Sequence, residues 1–163
     1  MNLGTDLYYK RQYDQAIEQM QKTIELDPNY VSVHDALGLV YVQKSMYKEG
    51  IAEIEKALAI SPDNPGPLSR LGNAYAVSGR RTEAQNVLGR LKQLSKQKYV
   101  SSALFAFVYA GLGEKDQAFE SLQKAYDDRS IGSLTSVNVS PVWDPLRSDP
   151  RFADLLRRMN LQP

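Results

Sequence analysis

The single histidine of the chain, His34, is followed directly by Asp35. A histidine beside a carboxylate can transfer protons in catalysis. The surrounding residues favour a helix, as argued below, and adjacent side chains on a helix do not face each other. The two groups therefore cannot form a hydrogen-bonded catalytic pair, and we interpret His34 as a residue that packs between helices.

Other reactive residue types also lack the neighbours that their chemistry requires. Asp127 and Asp128 could attract a cation, but no third ligand follows at a suitable spacing, which favours a solvated helix end. The run 111–113 (Gly-Leu-Gly) lacks the next glycine of a phosphate-binding loop, and no serine stands in a nucleophile elbow. The chain has no cysteine, which excludes thiol and thiolate chemistry. We therefore predict no enzyme activity, no catalytic residue, no metal site and no cofactor.

The charge balance argues against a nucleic-acid-binding protein. Lys and Arg number 20 against 19 Asp and Glu, whereas binding through phosphate contacts favours a basic excess. One stretch is locally basic and could contact RNA or an acidic partner, but we interpret it as a solvated face of the sixth predicted helix. Its members are Arg80, Arg81, Arg90, Lys92, Lys96 and Lys98.

No stretch of the sequence has the roughly 18 apolar residues that a membrane-spanning helix needs. The first residues, 1–11, do not resemble a signal peptide. These features predict no membrane insertion and a cytoplasmic location, unless the chain is a fragment of a membrane-anchored parent.

The sequence matches itself at a spacing of 34 residues. Two columns hold small residues, as expected where helix backbones approach closely, and two hold larger residues that fill the space beside them. The small columns are Gly4, Gly38, Gly72 and Ala106, and Ala16, Gly50, Ala84 and Ala118. The large columns are Leu7, Tyr41, Tyr75 and Tyr109, and Met20, Ile54, Leu88 and Leu122. The spacing predicts tandem structural repeats.

Each unit is predicted to contain two helices joined by a tight turn. Gly79 and Gly113 stand where a first helix must end, and the runs 27–29 and 61–65 contain the proline and polar residues of unit boundaries. We expect helices near residues 1–10, 12–26, 31–43, 47–60, 65–78, 82–94, 98–112 and 115–128.

This pattern resembles the tetratricopeptide repeat, a helix–turn–helix unit with Leu-Gly, then Tyr, Ala and Pro at fixed positions. The matching residues are Leu37, Gly38, Tyr41, Ala57 and Pro62 in one unit, and Leu71, Gly72, Tyr75 and Ala84 in the next. The resemblance covers residues 1–132 and implies an all-α, right-handed superhelical solenoid of about four units. The expected units are residues 1–30, 31–64, 65–98 and 99–132, and the first is truncated.

The final part of the chain, residues 133–163, does not follow the repeat. Asp149 and Pro150 suit the start of a helix whose apolar face holds Phe152, Leu155, Leu156 and Met159. We expect an irregular segment followed by a helix that caps the solenoid. The run 144–152 is similar to the ends of tetratricopeptide arrays in multidomain bacterial signalling proteins, which implies a bacterial origin and an effector domain upstream.

The beginning of the chain predicts further protein before Met1, because the first helix lacks three residues of the repeat. The edge of the first unit could also pair with a second copy, so a homodimer is possible.

The family resemblance implies that the first helix of each unit lines a concave groove for a protein or peptide segment. The groove positions are Tyr8, Tyr9, Asp35, Leu39, Val42, Arg70, Asn73, Val77, Ala103 and Phe107. The aromatic residues could anchor a partner or could simply pack between repeats. The clamp by which some family members bind chaperone termini is absent, because Arg70 alone has a matching charge.

The sequence therefore predicts a non-catalytic scaffold that docks a protein segment and has no small-molecule substrate. The alternative is a structural or self-association module of a larger bacterial signalling protein, with a groove that is empty or filled by the tail of the chain.

Overall fold

The sequence repeat becomes a series of helix pairs in the computed structural model, which describes residues 3–130 and 136–161. Within these ranges the chain is helical with no β-strand, and no helix has the length and apolar character needed to cross a membrane. The α-helices are α1 Leu3–Tyr9, α2 Tyr13–Leu26, α3 Val31–Gln43, α4 Tyr47–Ile60, α5 Pro65–Val77, α6 Arg81–Leu94, α7 Ser102–Leu112, α8 Lys115–Asp127 and α9 Pro150–Arg158.

The turn between the two helices of a unit has the same geometry in each unit. One residue adopts a positive φ of 60° at Arg11, 60° at Ser45, 82° at Gly79 and 73° at Gly113. The next N–H donates to a carbonyl of the first helix, as in Gln12 to Leu7 at 2.9 Å and Arg80 to Tyr75 at 2.8 Å. This left-handed residue ends each first helix and reverses the chain, so the two helices of a unit pack against each other.

Glycine allows the close approach of α3 and α4. A Cβ atom added to Gly38 would lie 2.4 Å from Ile54 Cγ1 and 2.8 Å from the Gly50 carbonyl oxygen. A Cβ added to Gly50 would lie 2.8 Å from Val42 Cγ2 and 2.9 Å from the Gly38 carbonyl oxygen. The small-residue columns of the sequence therefore coincide with backbone contact inside a unit.

The start of α7 differs from its expected position near residue 98. The helix begins at Ser102, because the Ser101 side chain caps it by accepting a hydrogen bond from the Ala103 N–H at 3.3 Å. The turn after α6 uses backbone bonds from Lys96 to Gln93 and from Gln97 to Leu94 in place of a proline.

Beyond α8 the chain returns toward the first helices of the repeats. Residues 136–148, here called the return segment, include a 3₁₀ helix, Pro141–Leu146. The expected irregular segment begins at residue 133, and its first residues, 133–135, lie outside the described ranges. Helix α9 begins with the Asp149 carboxylate accepting from the Arg151 N–H at 3.1 Å, and it buries Phe152, Leu155 and Leu156 in a core shared with α8.

Candidate functional site

The first helices of the units, α1, α3, α5 and α7, carry the predicted groove residues. The side chains of most of these residues are buried or partly buried. Tyr8, Asp35, Leu39, Val42, Asn73 and Ala103 are buried, Tyr9, Arg70 and Phe107 are partly buried, and Val77 is exposed. The structure divides them between an open pocket and a region that the return segment covers.

The open pocket lies between α1, α3 and α5 and has a volume of about 330 Å³. It brings together five of the predicted residues, which are Tyr8, Tyr9, Asp35, Leu39 and Arg70. Its lining also includes Thr5, Met20, Val31, Ser32, Ala36, Asn64, Gly66 and Pro67. The wall is largely apolar with a few polar groups, which is the usual composition of a binding pocket.

The polar part of this pocket is an ion pair between neighbouring repeats. Arg70 Nη1 on α5 donates to Asp35 Oδ2 on α3. Burial raises the pKa of the Asp35 carboxyl above its ordinary value, and the charge and hydrogen bond of Arg70 offset this only in part. Asp35 Oδ1 and Arg70 Nε are buried and have no hydrogen-bond partner among the residues that the structure describes. Each side chain of the ion pair therefore has one polar atom that is hydrogen-bonded and one buried polar atom that is not.

Tyr8 forms the α1 side of the pocket. Its ring packs against Tyr9 and Tyr13, with centroids 5.3 Å and 6.3 Å away. Burial is the largest cause that raises the pKa of its hydroxyl, and the nearby Ser140 hydroxyl and Arg70 charge oppose it. The Tyr8 hydroxyl faces Ser140 without a hydrogen bond of normal geometry. The return segment therefore lies close to Tyr8, although none of its residues lines the pocket.

The remainder of the groove is in contact with the return segment. Phe107 meets the Trp143 ring edge-on with centroids 4.7 Å apart, and Trp143 is only 1% exposed. Arg11, just after α1, donates from Nη1 and Nη2 to the Asp144 carboxylate at 2.7 Å and 2.8 Å. The segment therefore links α7 to the turn after α1.

Three predicted groove residues lie beside this segment. Val42, Asn73 and Val77 line a smaller pocket of about 260 Å³ whose other wall contains Pro141, Val142, Asp144 and Pro145. Asn73 donates from Nδ2 to the Phe107 carbonyl oxygen at 2.8 Å, so its side chain joins α5 to α7. From the sequence, a groove filled by the tail was only an alternative and no residue of the return segment was named for it, because these residues lie outside the repeat.

His34 is 4% exposed, and both of its ring nitrogens have partners. Nδ1 lies 2.7 Å from Glu53 Oε2 on α4, and Nε2 lies 2.8 Å from the Pro28 carbonyl oxygen. These contacts hold α3 against α4 and the preceding turn, in a packing role. In the ranges that the structure describes, no three side chains of the metal-binding types form a cluster.

The locally basic stretch is partly paired. Arg80 Nε donates to Glu83 at 2.9 Å, Arg81 pairs with Glu114, and Lys98 donates to the Asp63 carbonyl oxygen. Asp127 accepts from Gln123 at 2.7 Å. Such pairing is typical of charged residues on the exposed surfaces of helices.

Helix pairs stacked at a fixed sequence period define a helical-repeat protein, and comparison with known families identifies the repeat. A model described as "TPR repeat" matches residues 4–45, and one described as "Tetratricopeptide repeat" matches residues 41–104. The chain belongs to the tetratricopeptide repeat family. The expected all-α superhelical solenoid is confirmed, and the repeats of this family are in general protein-interaction modules rather than enzymes.

Two relatives come from eukaryotic organisms. The chain is similar to Superkiller protein 3 of Schizosaccharomyces pombe, with 29% identity over 68% of the chain. It is also similar to the Protein STIP1 homolog of Dictyostelium discoideum, with 23% identity over 99% of the chain. The alignments span 8% and 28% of the lengths of these relatives.

Two solved structures share the fold over nearly the whole chain. The crystal structures of MamA and MamA protein are each 20% identical, with TM-scores of 0.52 and 0.53. The first match covers 98% of both chains, and the second covers 97% of this chain and 90% of the other.

Proposed function

We propose that this chain is a scaffold that docks a segment of a partner protein in the open pocket between α1, α3 and α5. The observation that carries the proposal is the pocket of about 330 Å³, which brings Tyr8 and Tyr9 of α1 together with Leu39 of α3. A protein segment suits it because aromatic and aliphatic side chains in concave pockets contribute most of the energy at protein interfaces.

The return segment limits where a partner binds. Phe107 is in contact with Trp143, so this predicted anchor is available only if the segment moves. Docking in the open pocket requires no such movement. In a larger regulatory protein, as the tail resemblance implies, the docked segment would be held close to an effector.

The test compares two alanines of the same unit that are changed to glutamate. Ala36 on α3 lines the open pocket, whereas Ala52 on α4 is exposed and outside it. Random 12-residue peptides displayed on phage would be selected on the wild-type protein, and their affinity measured by calorimetry. We expect Ala36→Glu to weaken binding about tenfold or more, because a buried charge without a partner is costly. We expect Ala52→Glu to bind as the wild type does.

Failure to select any peptide would contradict docking, as would equal binding by the two variants. Circular dichroism of both variants checks that Ala36→Glu retains its helix content, so that lost binding is not lost folding.

Self-association is the second candidate, favoured by exposed apolar residues near the edge of the first unit. Leu3 is 59% exposed and Leu26 is 88% exposed. In this alternative a second copy would cover these residues, and light scattering would show a mass that increases with concentration and that Leu26→Glu returns to the monomer value.

A further inference from the structure

Three side chains that line the open pocket have a buried polar atom with no hydrogen-bond partner among the described residues. They are Tyr8, whose hydroxyl lies near Ser140, and the ion-paired Asp35 and Arg70. Asp35 Oδ1 and Arg70 Nε have no partner, although the same two side chains pair through Oδ2 and Nη1. Buried polar atoms are nearly always hydrogen-bonded, and those that are not usually have a functional explanation. A ligand that satisfies both atoms would remove an existing cost and so gain affinity.

The two atoms define the chemistry of a matching ligand. The carboxylate oxygen of Asp35 needs a donor, and the Nε–H group of Arg70 needs an acceptor. A carboxylate ligand would be repelled by Asp35, and an ammonium group would be repelled by Arg70. One trans peptide unit carries its N–H and C=O on opposite sides, so a backbone would need two successive peptide units of an extended segment to present both groups. A carboxamide presents an NH₂ donor and an oxygen acceptor together at the end of one side chain.

The volume of the pocket and the partial exposure of Arg70 also suit a ligand group of the size of one amino-acid side chain. The volume of about 330 Å³ is at the lower end of the range for ligand pockets. The Arg70 side chain is 30% exposed, while that of Asp35 is 8% exposed. Arg70 is therefore the part of the wall that can turn outward to admit a polar group, and Tyr9 and Leu39 remain as apolar surface for an adjoining residue.

We propose that the pocket recognises an Asn or Gln side chain of the docked segment. The carboxamide N–H donates to Asp35 Oδ1, and the carboxamide oxygen accepts from Arg70 Nε. The inference rests on the proposed function, because it names the residue type that the docked segment presents to this pocket.

The experiment uses the phage-displayed 12-residue peptides selected on the wild-type protein. We expect Asn or Gln at a fixed position beside an apolar residue. Replacing that residue by Leu in a synthetic peptide should weaken calorimetric binding to the wild type about tenfold, the usual range for hydrogen bonds to charged groups. Arg70→Lys keeps a charge for Asp35 but has no Nε–H donor in the same position, so the two peptides should bind it about equally.

A double variant, Asp35→Leu with Arg70→Met, provides an independent check. Apolar residues of similar volume commonly replace a buried ion pair without loss of folding. Circular dichroism should show the helix content of the wild type, and the preference for Asn or Gln over Leu should disappear. A preference that survives in both variants would overturn the inference.

The outcomes separate this inference from the proposed function. Selected peptides that lose binding to Ala36→Glu but show no fixed Asn or Gln would leave docking intact and overturn carboxamide recognition. Selection of acidic or basic residues at that position would do the same. The absence of any selected peptide would overturn docking itself.

Discussion

Asp35 and Asp149 are carboxylates whose surroundings shift their pKa values in opposite directions. Burial raises the pKa of Asp35 above 3.8, despite the opposing effect of Arg70. Hydrogen bonds from the Arg151 side chain and backbone lower the pKa of Asp149 from 3.8 to about 2, although desolvation opposes them. Asp35 therefore contributes most to stability below about pH 3.8 and loses this contribution as pH rises through its folded pKa. Asp149 contributes above about pH 3.8 and loses its contribution as pH falls toward 2.

Because the two pKa values shift in opposite directions, the free energies of unfolding of two single variants should depend on pH in opposite ways. The free energy of unfolding of Asp35→Asn, relative to the wild type, should increase as pH rises above about 4, because the variant has no buried carboxylate to ionise. That of Asp149→Asn should decrease relative to the wild type as pH rises from about 2 to 4, while asparagine still caps α9. Urea denaturation between pH 2.5 and 7 measures both, and two parallel profiles would contradict the assignment.

Asp35 and Arg70 were named from the sequence as separate groove positions, and it was not predicted that they form an ion pair. The repeat register assigned Asp35 and Arg70 to first helices, and both line the same pocket. Their contact depends on the offset between α3 and α5, which a period alone does not specify. The same limit applies to His34, whose packing role could be argued from its column although its partner Glu53 could not.

At the scale of helices, the predicted boundaries were correct where proline and polar residues of the repeat mark the ends of a helix. The expected helices 31–43 and 47–60 coincide with α3 and α4, and the runs 27–29 and 61–65 mark the start of the first and the end of the second. The start of α7 was misplaced because Ser101, rather than a proline, determines it. A serine is too common in this chain to identify a cap without the structure.

Glycines within helices provide the test of helix packing. Gly50→Ala should lower the free energy of unfolding by about 1–3 kcal/mol, because its Cβ would meet Val42 and the α3 backbone. Gly89→Ala on α6 is the matched control, since a Cβ there meets nothing within 4 Å. The control should gain about 0.5–1 kcal/mol from helix propensity. Urea denaturation compares them, and a neutral Gly50→Ala would refute close packing of α3 on α4.

At the scale of the whole molecule, the return segment links elements that the repeats leave far apart in sequence. Asp144 reaches Arg11 near the first turn, and Trp143 packs on Phe107 of the fourth unit. No periodicity predicts this return, because its residues occur once. The surface ion pair adds at most about 1 kcal/mol, so the burial of Trp143 is the stronger part of the attachment.

Because Trp143 is the only tryptophan, its fluorescence reports directly on the return segment. Phe107→Ala should make Trp143 more accessible to acrylamide quenching below the melting temperature, since the edge-on ring contact contributes about 0.5–1.5 kcal/mol beyond its buried area. Phe105→Ala is the matched control, because Phe105 is also a partly buried α7 residue but packs in a different cluster from Trp143. The control should leave quenching unchanged even if it lowers the melting temperature. Equal quenching in both variants would mean that contacts other than Phe107 hold the segment in the groove.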